Sequence, residues 1–439
     1  MTPTPQRALS GRNLSDVKFT NRAVIFRTIR DLGTVSRAEL ARRTNLNPAT
    51  VSNIVRELLE KGLVEEAGLG ESRGGRRPSL LRINPTRGYV IAISLERLAI
   101  RGMLTDLDLR ETTRRTTTSS SLSHPADITL QALMSLIRTL VAESGVDRDK
   151  IIGIGIGVPG PLDIRQGTLI SSPNFPAWDG TPLRRIIEEE VRIATFLDND
   201  ANVCALAEKW FGVAREMDDF VYILADTGVG GGIMIDGDIC RGVHDIAGEI
   251  GHMTIHLDGP RCVCGNFGCL ELYASPLVAT ELVRRAVAGG RMSCAVELVG
   301  GDAEKISFEV VVQAAQQGDA LALEALDSIT KALAVGISNV INTLDPEAVL
   351  VGGRISLAGD LVLDKLREIV AQRIMSGGTI AVPIILGELQ REAPLIGAFC
   401  LVLRELFQNP EVSFAAPSFG PLPLHVDRPK RLSEPQMSG

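Results

Sequence analysis

Three cysteines, Cys262, Cys264 and Cys269, fall inside one eight-residue stretch, and His252 stands ten positions before the first of them. The pattern His-x9-Cys-x-Cys-x4-Cys gathers one imidazole and three thiolates on a short segment, where Gly265 and Gly268 let the backbone wrap back on an ion. Four such ligands close a tetrahedron and leave no position for a catalytic water, so the spacing predicts a structural Zn2+. The competing reading is a set of free core thiols around a buried histidine. That is the reading for Cys204, Cys240, Cys294 and Cys400, none of which has a ligand-type neighbour in the sequence.

A second group suits nucleic acid. Asn47, Ala49, Thr50, Ser52, Asn53 and Arg56 are small or polar residues of the kind that meet base edges and phosphates in a major groove. The elements that position them are legible. Asn21–Leu32 is an amphipathic helix closed by Gly33. Ser36-Arg-Ala-Glu39 is a capping box that opens a short helix, Arg37–Arg43, and Arg37 joins the candidate DNA contacts. After the turn Thr44-Asn-Leu46, Asn47 caps and Pro48 starts a third helix, Pro48–Lys61, which ends at Gly62. Its inner face is Val51, Ile54, Val55, Leu58 and Leu59. Two strand-like runs, Leu63–Glu66 and Ser79–Arg82, flank the loop Ala67–Pro78, whose Arg73, Arg76 and Arg77 suit a minor-groove wing. The pattern predicts a winged helix-turn-helix for double-stranded operator DNA. The alternative is a helical dimerisation module with solvated arginines.

Composition sets the frame. The chain has 439 residues, 45% hydrophobic and 23% charged, which excludes a fibrous or wholly disordered protein. The net charge of −7 hides an asymmetry: residues 1–88 carry 16 Lys and Arg against 8 Asp and Glu, and the remainder carries 30 against 45. A basic head on an acidic body implies that the head alone meets a polyanion. No apolar run approaches the ~20 residues of a membrane helix. The N-terminal stretch has no apolar signal region, so the expected location is cytoplasmic, with no membrane partner.

The expected organisation is a flexible arm at 1–16, a DNA-binding domain at 17–85, an α/β body at 86–407 and a disordered Pro-rich tail at 408–439. Strands are expected at Tyr89–Leu95, Ile151–Val158, Ala194–Leu197, Phe220–Leu224, Gly232–Ile235 and Ala348–Val351. Helices are expected at Thr129–Ala142, Leu183–Val191, Ala201–Phe211, Pro276–Ala288, Ala320–Leu344 and Leu361–Met375.

With Gly248-Glu-Ile-Gly-His252 and the Cys-x-Cys-Gly-x-x-Gly-Cys-x-Glu run ending at Glu271 in view, the chain resembles the ROK family (repressors, open reading frames and sugar kinases), in its repressor branch. The resemblance covers roughly Asp16–Phe407. It implies a two-lobed body like actin and hexokinase, with a sugar in the cleft. Its sugar contacts fall on Asn174, Asn199, Asp200, Glu249, His252 and Glu271, and Asp200 is the general base in a kinase. It also implies that one ring nitrogen of His252 ligates zinc while the other faces the sugar. The chemistry suits a polyhydroxylated ring, which wants carboxylates, amides and an imidazole each meeting neighbouring hydroxyls. A helix N-cap competes for Asn199 and Asp200, a solvated turn for Glu249 and an ordinary loop amide for Asn174.

The kinase motifs depart from the family pattern. Where active members carry Asp-x-Gly-Gly-Thr, this chain reads Ser94-Leu-Glu-Arg-Leu98, and where they carry Gly-Thr-Gly it reads Asp226-Thr-Gly228. Phosphate cradles need glycine so that backbone amides can approach. A like charge ~4 Å away costs about 4 kcal/mol at an effective dielectric near 20, so Glu96 and Asp226 are expected to weaken ATP binding strongly. The expectation is therefore a sugar-responsive transcriptional regulator without enzyme activity, a homodimer or homotetramer, that represses carbohydrate uptake or catabolism genes. Its competitors are a sugar kinase with a basic appendage and a zinc-stabilised scaffold.

Overall fold

The computed structural model describes residues 14–70, 77–117, 125–170, 175–375 and 381–408. The head has three helices, α1 (Leu14–Leu32), α2 (Arg37–Thr44) and α3 (Pro48–Glu60). They lie with a three-stranded sheet in the order Val35–Ser36, Ser79–Ile83, Val64–Leu69. Ile25, Ile29, Leu40, Val51, Ile54, Val55, Leu58 and Leu81 form its core. α1 opens at Leu14, seven residues before the expected start and inside the stretch expected to be a loose arm.

The capping signals act as the sequence implies, with one exception. Asn47 Oδ1 accepts from the Ala49 amide at 2.8 Å, and Ser36 Oγ accepts from the Glu39 amide at 3.2 Å. The return half of the capping box is not made: Glu39 turns outward to Arg42 and Arg43, because two guanidiniums outbid one amide for a carboxylate.

The body repeats one topology twice. Its first sheet runs Thr195–Asn199, Ile151–Val158, Tyr89–Leu95, Ile100–Asp106, Glu111–Thr117 in space. The second runs Asp238–Ile239, Val229–Ile235, Phe220–Ala225, Ala348–Gly352, Ile384–Leu386. In each, the first three strands in chain order form an antiparallel meander and the last two run parallel to the first. The parallel strands are near-continuous apolar runs because both faces are covered. Ligands of such sheets bind outside the carboxyl ends of the strands. Here the ends at Leu95, Val158, Asn199, Ala225 and Gly352 lead into one cleft.

Two helices tie the molecule together. The cleft helix, Asp200–Phe211, starts where the first sheet ends and is buried along most of its length. The terminal helix, Ala393–Gln408, packs along the cleft helix and against the first sheet. Its far end meets the head: the Phe407 ring lies 5.1 Å from Phe26 of α1 and is stacked on Trp210 at 6.0 Å. The apolar core of the head and the core around these helices form one continuous cluster. Among the described residues, no helix is long and apolar enough to cross a membrane.

Candidate ligand cleft, metal centre and DNA-facing surface

The cleft is built from strand ends and two loops of the second lobe. Asn199, the last residue of its strand, caps the cleft helix: its Oδ1 accepts from the Ala201 amide at 2.9 Å. The carboxamide oxygen is thus committed to the helix, and Nδ2 makes only a long bond to the Gly160 carbonyl, 3.4 Å. Capping therefore occupies one end of the side chain and leaves the other, Nδ2, with a single long bond. Asp200 follows at the first helical position. Burial pushes its carboxyl up to about 7, and the neighbouring charges of Glu249, Asp226 and Glu96 add to the effect.

Glu249, His252 and Glu271 line the same cleft as Asn199 and Asp200. Glu249 precedes a single 3-10 turn, Ile250–His252, and Glu271 opens a short helix. The tight approach of this loop to the second sheet depends on Gly231 and Gly248. A Cβ at Gly248, φ +92°, would lie 2.1 Å from the Gly231 carbonyl oxygen. Asn174 lies outside the described residues, so five of the six expected contacts are brought together.

A contact that sequence reasoning missed fixes the site from behind. Asp198 is fully buried and accepts from Arg241 Nε at 3.1 Å, from Asn202 Nδ2 at 2.9 Å and from the Asn199 amide at 2.8 Å. Asp198 belongs to the first lobe, and Arg241 belongs to the second-lobe segment that leads to Glu249. No sequence signal pairs two residues 43 positions apart on different sheets.

His252, Cys262, Cys264 and Cys269 place their ligand-type atoms within 4.8 Å of one another. His252 Nδ1 lies 3.7 Å from Cys262 Sγ, and Cys264 Sγ lies 3.7 Å from Cys269 Sγ. A tetrahedron with Zn–S bonds of about 2.3 Å has edges of about 3.8 Å, so the cluster fits a metal ion of that size. Gly265 and Gly268 both have left-handed φ, +93° and +62°, as the wrapping segment requires. Asn266, not anticipated, donates to Cys269 Sγ at 3.4 Å and to the His252 carbonyl at 3.2 Å. The other ring nitrogen of His252 faces Glu249, with Nε2 to Oε2 at 3.8 Å. One imidazole therefore joins the thiol cluster to the cleft. Cys204 and Cys400 are buried away from the cluster.

The carboxylates at the kinase-motif positions are not bare. Glu96 accepts from Arg101 Nε at 2.6 Å and from Ser94 Oγ at 3.0 Å, and Asp226 accepts from Arg354 Nε at 3.1 Å. Each anion therefore lies beside a guanidinium, which lessens the repulsion of phosphate expected from it. What remains against a phosphate cradle is the loss of the glycines.

On the head, Asn47, Ala49, Ser52, Asn53 and Arg56 are exposed along one face of α3, with Thr50 and Arg37 half-buried beside them. Arg56 Nη2 donates to Asn53 Oδ1 at 3.0 Å. Arg77 is exposed at the start of the second wing strand, and Arg73 and Arg76 lie outside the described residues.

A winged helix seated on a duplicated, cleft-bearing α/β body defines a class: a DNA-binding-type head on an actin- and hexokinase-like fold. The chain belongs to the ROK family, whose profile matches residues 90–405, and residues 20–66 match the MarR family. The xylose repressor of Caldicellulosiruptor bescii is 33% identical over 395 residues, 90% of this chain and 98% of that protein. The DNA-binding transcriptional dual regulator NagC of Escherichia coli is 28% identical over 414 residues, 93% of this chain and 98% of NagC. A ROK family transcriptional regulator, a homologue of the E. coli MLC protein, superimposes with a TM-score of 0.72 at 27% identity, covering 89% of this chain and 97% of that one. A ROK family glucokinase from Streptomyces griseus in complex with glucose and AMPPNP gives a TM-score of 0.65 at 27% identity, covering 71% of this chain and 98% of that one.

Proposed function

We propose that the protein is a sugar-responsive transcriptional repressor of carbohydrate uptake or catabolism genes. One observation carries this reading: five sugar-type contacts line a cleft in a chain whose DNA-binding-type head is packed into the same body. The effector is a pentose or hexose, or an N-acylated or phosphorylated relative, in keeping with the sugar repressors among its relatives. Asn199 Nδ2, Asp200, Glu249, His252 and Glu271 would meet its hydroxyls, with Asn174 as a further contact.

His252, Cys262, Cys264 and Cys269 would hold a structural Zn2+, which supplies a fixed positive charge behind the cleft and stiffens the loops bearing Glu249 and Glu271. Residues 17–85 form the DNA-binding domain and 86–407 the sugar-binding domain. The protein works in the cytoplasm as a homodimer or homotetramer. Its recognition helices meet half-sites about 10.5 bp or a multiple apart. Asn47, Ala49, Thr50, Ser52, Asn53 and Arg56 reach the major groove, with Arg37 at its edge and Arg73, Arg76 and Arg77 in the wing. Closure of the lobes on the sugar changes the spacing of the two heads. A coupling of ~1–3 kcal/mol already alters occupancy about 5–150-fold.

One observation favours a second reading, a sugar kinase. Asp200 stands in the cleft with a carboxyl at about 7, suited to a general base. Sugar-dependent ADP release by the pure protein would establish it.

The deciding experiment is fluorescence anisotropy with DNA from upstream of the protein's own gene, at two salt concentrations. A panel of pentoses, hexoses and N-acetylated sugars is added in turn. The expected result is tight, salt-sensitive binding that one sugar shifts. Absence of DNA binding there and in genome-wide selection of bound fragments would overturn the repressor reading.

A further inference from the structure

We propose that Arg22 is a positioning residue that couples the DNA-reading helix to the ligand-binding body, by holding the last turn of α3 and the last turn of the terminal helix on one guanidinium. The inference rests on the repressor reading above and adds the route by which the cleft reaches the DNA-facing surface.

Arg22 lies on α1 and is only 7% exposed. Its Nε donates to Glu57 Oε2 at 2.9 Å, and its Nη1 donates to the Phe407 carbonyl at 2.9 Å. One planar fork thus joins residues 35 and 385 positions away. Each partner has a reason to need it. Glu57 sits near the C-terminal end of α3, where the helix macrodipole disfavours a carboxylate. The Phe407 carbonyl is among the last four of its helix, which have no partner within the helix. A buried guanidinium is itself tolerated only when its donors are met. The three helices cannot shift independently without stranding a buried charge.

The far end of this junction is the cleft. Trp210 and Phe211 close the cleft helix, whose first residue is Asp200. Trp210 stacks on Phe407 with ring planes 14° apart, and the Arg30 guanidinium of α1 lies 4.2 Å over the Phe211 ring. A 12-residue helix spans ~18 Å and transmits displacement as a rigid strut. Movement of Asp200 on ligand closure is therefore delivered to Phe407, from there to Arg22, and from Arg22 to the recognition helix. Lysine cannot replace arginine here, because an ammonium lacks the planar fork that serves two partners in fixed directions.

The test uses the full chain with three single variants, Arg22→Met, Arg22→Lys and Glu57→Gln. DNA affinity is measured with and without saturating D-xylose, with D-glucose in parallel, and sugar affinity is measured separately by calorimetry. The expected result is that sugar affinity stays within about twofold of wild type while the sugar-induced change in DNA affinity falls from the usual ~5–150-fold to below about twofold. Glu57→Gln keeps the fold if Arg22→Met does not, since it removes one charge and no volume. A sugar response of wild-type size in Glu57→Gln and Arg22→Lys overturns the proposal. So does an equal loss of DNA affinity with and without sugar, which would make Arg22 a prop for α3 alone. A wild-type protein that binds DNA but answers no sugar defeats the repressor reading itself, and the inference with it.

Discussion

Asp200 carries two loads. It opens a helix, where a carboxylate is welcome to the unpaired amides. It also stands among Glu249, Asp226 and Glu96 in a desolvated cleft, where a carboxylate is not, and the second effect wins, leaving the carboxyl at about 7. The sign follows. If Asp200 meets the sugar as proposed, its ionised form accepts a hydroxyl hydrogen bond far better than its protonated form, so sugar affinity is expected to rise up to about tenfold between pH 6 and pH 8. Stability moves the other way. The folded-state value lies above the unfolded one, so the stabilisation is present at low pH and is lost as pH rises through about 7. Asp200→Asn should flatten both profiles, and calorimetric titration alongside thermal melts at four pH values checks this. A sugar affinity that stays steep with pH in the variant would assign the titration to another group. The clustering of His252, Cys262, Cys264 and Cys269 was readable because chelation-type spacing leaves a local signature. The arginine that offsets Asp226 was not, because Arg354 lies 128 positions away and nothing local marks it as a partner.

At the scale of elements, α3 and the terminal helix make a contrast. α3 was legible because every cue agreed: a capping asparagine, a proline at the first position, a clean apolar face and a glycine beyond the end. The terminal helix leaves no comparable signal in the sequence. It is buried almost all round, so it has no polar stripe to set a helical period, and a short apolar run without that period reads equally as a strand. The strand Glu111–Thr117 escaped for the opposite reason, being a polar edge with little apolar alternation. The wing carries its own prediction. Arg77→Ala should weaken DNA binding across all sequences and reduce the salt slope by about 1, as expected for one lost phosphate contact. Anisotropy titrations at several salt concentrations measure this, and an unchanged slope would place Arg77 outside the contact surface.

For the whole molecule, the repeat of one strand order in both lobes explains why a single cleft collects so many strand ends. It also explains why the lobes need a clasp. Asp198 and Arg241 supply one between the lobes, behind the cleft, with Asp198 fully buried. Removing one partner of a buried pair strands the other, so Arg241→Ala should lower stability by about 3–5 kcal/mol. Urea unfolding followed by tryptophan fluorescence would register this, since Trp178 and Trp210 lie in the first lobe and on the cleft helix. A loss under about 1 kcal/mol would show that water had taken over the role of the arginine.

The seating of α1 on the terminal helix also bears on how the protein is made. A ribosome releases the head before the terminal helix, which follows nearly 400 residues later. Until then Phe26 has no Phe407 to pack against and Arg22 has only one of its two partners. Domains generally fold in the order of synthesis, yet here a helix of the head completes its packing only after the terminal helix, hundreds of residues later, has been made. Prematurely terminated chains, which could occupy an operator without being able to answer a sugar, are thereby left with an unfinished head.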